Sequence, residues 1–76
     1  MKTESLPKSD PAVEYLRTYR EWLRSYGVGD PCIDELRNAI LVEAANDALD
    51  VVQRDRLEVL ARLIEQDQRA AAGRAA

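Results

Sequence analysis

The chain has 76 residues, one cysteine, no histidine and a net charge of −3. This excludes an internal disulfide and removes the commonest metal ligand and the commonest general base. A chain of this length forms one domain at most and buries little apolar surface, so self-association or a larger partner is the expected further source of stability.

Charge is unevenly spread. Residues 1–29 and 51–76 each carry five basic and four acidic side chains, whereas residues 30–50 carry six acidic side chains against Arg37 alone. A negative middle segment argues against nucleic acid as a partner, because phosphate neutralisation by Lys and Arg supplies most of that affinity. Met1–Ser9 contains lysines but no apolar run, so it reads as a flexible arm and not a signal peptide. No stretch approaches the roughly 20 apolar residues of a membrane span. These absences point to a cytoplasmic protein without cofactor, metal or membrane contact.

Asp10-Pro11 opens the first expected helix. The carboxylate suits the N-cap, and proline suits the first helical position, where its missing N–H costs nothing. The helix should run to about Tyr26 and end at Gly27. All four aromatic residues of the protein lie within it, Tyr15, Tyr19, Trp22 and Tyr26, at spacings of four, three and four. At 100° per residue they share an arc of about 120° with Ala12, Leu16 and Leu23. Arg17, Arg20 and Arg24 form a basic row on one flank with Val13 among them.

Asp30-Pro31 repeats the same opening, and from Pro31 to Ala72 neither glycine nor proline interrupts. The apolar face changes within this span. Ile33, Leu36, Ile40, Ala44, Ala48 and Val51 share one side, while Leu57, Leu60, Leu63 and Ile64 centre on nearly the opposite one. Asp50 with Gln53 and Asp55 with Glu58 both have capping-box spacing. Two architectures are compatible with this pattern. One has a turn between Asn46 and Asp55 and three helices. The other has a continuous second helix of roughly 60 Å, with a broader stripe through Leu41, Ala45, Ala48, Val52, Val59 and Leu63. The fold class is therefore all-α: a short N-terminal helix followed by one long helix or two shorter ones, as a helical hairpin or three-helix bundle, expected to be oligomeric. The single domain spans 10–72, with a frayed tail over 73–76.

Candidate chemistry is sparse. Cys32 lies in the first turn of the second helix, where the dipole lowers a thiol pKa but Asp30, Asp34 and Glu35 oppose this. With no histidine, no glycine-rich phosphate loop and no metal-ligand cluster, an enzyme is not expected. Gly27 could serve as the turn glycine of a helix-turn-helix, with Trp22, Tyr26, Val28, Ile33 and Leu36 at its apolar positions. The groove-facing positions would then be Gly29, Asp30, Pro31, Asp34 and Glu35, three of them anionic, which makes this a weaker reading.

A small anionic ligand such as a nucleotide, held by tyrosines and arginines at an oligomer interface, is a further alternative. Mimicry of nucleic acid by the acidic segment competes poorly with an ordinary solvated helix face. The favoured expectation is a non-enzymatic protein–protein interaction module, a regulator, inhibitor or adaptor subunit acting as a homo-oligomer, with a dimer as first choice. Its partner-binding residues would be Tyr15, Tyr19, Trp22, Tyr26, Arg17, Arg20 and Arg24. The same aromatic residues are also the natural core for a chain this small, and that use comes first.

Overall fold

The computed structural model describes residues 10–75. Among these the chain forms three helices and no strand: α1 (Pro11–Ser25), α2 (Pro31–Ala44) and α3 (Val51–Ala75). The three-helix alternative is the one adopted, with residues 45–50 as the turn between α2 and α3. The arm at 1–9 and Ala76 lie outside the described residues, and α3 runs past position 72 as far as Ala75.

Both Asp-Pro starts work as their chemistry dictates. The side chains of Asp10 and Asp30 accept hydrogen bonds from the N–H groups of Ala12 (3.0 Å) and Cys32 (2.9 Å), satisfying amides that a helix start leaves open. Helix α1 ends with Tyr26 as C-cap, and the Gly27 N–H donates to the Leu23 carbonyl at 3.0 Å. Gly27 then turns the chain off the helix in a left-handed backbone, at φ 89°, a conformation that side-chain-bearing residues resist.

The second turn is built by the polar run that divides the two aliphatic patterns. The Asp50 carboxylate accepts from the Gln53 N–H at 2.8 Å, and the Gln53 side-chain oxygen accepts from the Asp50 N–H at 3.1 Å, a reciprocal capping box that starts α3. Arg54 then reaches back to the end of α2, donating from Nε to the Ala44 carbonyl (3.1 Å) and from its terminal nitrogen to the Asn46 carbonyl (3.4 Å). Helix α2 has no basic residue in its own last turn, so Arg54 supplies the cation its C-terminal dipole favours.

These contacts fix the directions. Helix α3 runs antiparallel to α2, with Arg54 at one end of the pair and Gln68 at the other, where Gln68 bonds the Gly29 N–H, the Asp30 carbonyl and Asp34. Helix α1 lies parallel to α3, tied by the Arg56–Asp10 ion pair at one end and a Tyr19–Asp67 hydrogen bond further along. The tightest packing is between α2 and α3, whose Ile33, Ile40, Leu57 and Ile64 are wholly buried, with Leu36, Ala44, Leu60 and Ala61 around them. Helix α1 adds only Ala12 and Tyr19 to the fully buried set, while Tyr15, Leu16, Trp22, Leu23 and Leu49 pack partly buried against it.

Candidate interaction surface

The seven residues singled out on α1 divide between two faces. Tyr19 is buried, and its hydroxyl donates to the Asp67 carboxylate of α3 at 2.7 Å. A buried phenol needs such an acceptor, and this one joins two helices. Burial, the hydrogen bond and the carboxylate charge, in that order, raise the Tyr19 pKa far above the ordinary phenol value. Tyr15 and Trp22 pack against the same core, half-buried. Tyr26 is exposed at the end of the helix and meets the Trp22 ring edge-on, with centroids 5.9 Å apart and planes at 88°. The aromatic row is thus mainly internal structure, with Tyr26 exposed and Tyr15 and Trp22 partly buried.

Arg17, Arg20 and Arg24 are all exposed, and with Val13, Leu16 and Glu21 they line a shallow depression of about 310 Å³. All six belong to α1, so this is a ridge-and-furrow surface of a single helix. No tyrosine borders it. The only ion pair the arginines make among the described residues is a loose Arg17–Glu14 contact at 4.0 Å. The structure brings the three arginines together with Val13 and Leu16, and the aromatic residues together with the core.

A second surface lies between α1 and α3 and was only partly visible in the sequence. Ala12, Val13 and Leu16 face Arg56, Val59, Leu60 and Leu63 across a groove of about 260 Å³ whose exposed walls are apolar throughout. Leu63 had the periodicity of a core residue, but it is 45 % exposed, and Val13 and Val59 are 48 % and 50 % exposed. The Arg56 side chain crosses the groove with its stem and sends its guanidinium to Asp10 at the rim.

The remaining candidates are accounted for by local structure. Asp30 and Asp50 cap helices, Asp34 meets Gln68, and Asn46 accepts from the Ala48 N–H in the turn. The Cys32 thiol is pushed up, first by its hydrogen bond to Asp30, then by desolvation and by the charges of Asp30 and Glu35. The carboxylates oppose the helix dipole there. Among the described residues no group of three or more His, Cys, Asp or Glu side chains could hold a metal ion, and no helix is long and apolar enough to cross a membrane.

No protein-family model matches the chain, and neither a curated protein nor a solved structure shows similarity to it. The functional reading therefore rests on the residues alone.

Proposed function

We propose that the protein is a non-enzymatic interaction module that works as a homo-oligomer and binds a further protein through the outer side of α1. The observation that carries this reading is the open apolar groove between α1 and α3, bordered by the arginine row. Among the described residues the buried set is ten, three of them alanine. Leaving Val13, Val59 and Leu63 about half exposed on so small a core forgoes apolar burial worth roughly 25 cal/mol per Å².

Arg17, Arg20, Arg24 and Tyr26 are the recognition residues in this reading. Exposed arginines steer an acidic partner and fix its orientation, and an exposed tyrosine supplies contact area at low entropic cost. Tyr15, Tyr19 and Trp22 hold the surface in place from behind.

The test has two arms. Sedimentation equilibrium from micromolar to millimolar concentration should show a species heavier than the 8.6 kDa chain. A single 8.6 kDa mass throughout would remove the homo-oligomer from the reading. The triple variant Arg17→Ala, Arg20→Ala, Arg24→Ala should keep that mass and lose a cross-linked protein captured by the wild type from its source extract. Capture unchanged in the triple variant would remove the arginine row.

A further inference from the structure

Along α3, Val52, Arg56, Val59, Leu63, Gln66 and Ala70 follow one another at spacings of four, three, four, three and four, and all six are exposed. This is the heptad spacing of a helix–helix seam, on the side of α3 turned away from α2. Val52, at 57 % exposure, extends the apolar groove of Val59 and Leu63 toward the start of the helix. The core of the molecule already uses a different arc of α3, that of Leu57, Leu60, Ala61 and Ile64. The helix thus carries two apolar seams, and only one of them is covered.

We infer that the second seam is covered by a second copy of the chain, with the two α3 helices packed antiparallel about a twofold axis near Ala61. The inference rests on the homo-oligomer reading and specifies its interface. The spacing reads the same in both directions, so an antiparallel copy places Val59 on Leu63 of the second copy, Val52 on its Ala70 and Arg56 on its Gln66. Apolar side chains meet apolar ones, and the Gln66 amide oxygen can accept from the guanidinium. A parallel copy would instead stack Arg56 on Arg56 inside the seam, a like-charge contact at a desolvated position. Asp55, Arg62 and Arg69 lie on the same edge of the row, and the same register brings Asp55 of one copy beside Arg69 of the other, twice in the dimer, against a single exposed Arg62–Arg62 approach at the axis. Val13 and Leu16 of α1 widen the contact. Self-complementarity of one patch is what an isologous dimer requires, and a foreign helix has no reason to find it.

The experiment is a solution mass on the full chain and on variants at exposed positions, with circular dichroism to confirm helix content. The wild type should be a dimer and Leu63→Arg a folded monomer, and Val59→Arg serves equally should Leu63→Arg unfold. Asp55→Arg and Arg69→Glu should each weaken dimerisation about tenfold, since each turns two attractive contacts into repulsive ones. Mixed together, they should form a heterodimer of wild-type strength. In a parallel pair positions 55 and 69 stand about 21 Å apart and mixing rescues nothing. A wild-type monomer at millimolar concentration overturns both the inference and the homo-oligomer reading. An oligomer indifferent to Leu63→Arg and Val59→Arg, including one that captures a foreign helix on this face, overturns the seam and leaves the reading standing. Disruption by Leu63→Arg without rescue on mixing overturns the antiparallel register.

Discussion

Tyr19 carries the bond on which the position of α1 depends. Its hydroxyl is the buried polar group that α1 contributes to the core, and Asp67 answers it from α3. A hydrogen bond to a charged acceptor contributes about 1.5–3 kcal/mol, and partial solvation of Asp67 places this one near the lower end. Tyr19→Phe should therefore cost about 1–2 kcal/mol in urea unfolding. The pH dependence has a definite sign. The folded state keeps the phenol neutral beyond its ordinary value, so its contribution is complete below about pH 10 and declines as pH rises toward the folded value, by up to about 1.4 kcal/mol per pH unit. The wild type should thus lose its advantage over Tyr19→Phe as the pH rises from about 10 to about 11.5. A gap that stays constant over this range would mean that Asp67 does not hold the phenol.

Cys32 offers a second check at the same scale. Asp30 both caps α2 and raises the thiol pKa, and Asn caps equally well without the charge. Asp30→Asn should keep the fold and speed the reaction of Cys32 with a disulfide reagent several-fold at pH 7.5. An unchanged rate would show that the carboxylate is not what restrains the thiol.

At the scale of elements, the two turns hold the helices in order. Gly27→Ala forces a side chain into a left-handed backbone with open space around it, so the cost is conformational, about 1 kcal/mol. Arg54→Ala removes the fork from the Ala44 and Asn46 carbonyls and should cost about 1 kcal/mol in thermal or urea unfolding. Arg54→Lys should recover only part, because an ammonium cannot present two fixed donors. Equal stability of Arg54→Ala and wild type would dismiss the clamp.

Much of this was legible from residue spacing. The two Asp-Pro caps and Gly27 mark α1 and the start of α2, because capping is local chemistry between residues two to four apart. The break between α2 and α3 was not decidable in the same way. The Asp50–Gln53 box was visible, but Asp55 and Glu58 had the same spacing, and what selects the first is Arg54 bonding carbonyls up to ten residues away. Whether Leu63 faces the core or the outside was not decidable for a related reason. Leu60, Leu63 and Ile64 are equivalent by periodicity, and only the packing of α2 over Ala61 decides which arc of α3 turns inward. The arginine row is exposed on α1. Its neighbours are Val13 and Leu16, whereas the hydroxyl of Tyr19 is committed to Asp67.

At the scale of the whole molecule, the outcome turns on how much of the fold is completed by a second chain. Two layers are well made: α2 and α3 bury four large side chains completely between them, and α1 is held by one tyrosine, one ion pair and a partly buried apolar edge. The side of α1 and α3 away from α2 has no layer above it. Should a second copy form that layer, unfolding and dissociation are linked, and dilution must lower the melting temperature. A tenfold dilution shifts a dimer's unfolding free energy by about 1.4 kcal/mol, or about 0.7 kcal/mol per chain. For a domain of this size that corresponds to a fall of about 3–6 °C. Circular dichroism melts at 5, 50 and 500 µM should show this slope in the wild type and none in Leu63→Arg, whose curve should follow the most dilute wild-type samples. A melting temperature independent of concentration in the wild type would show that three helices suffice alone, and that α1 is anchored more firmly than Tyr19 and Arg56 account for.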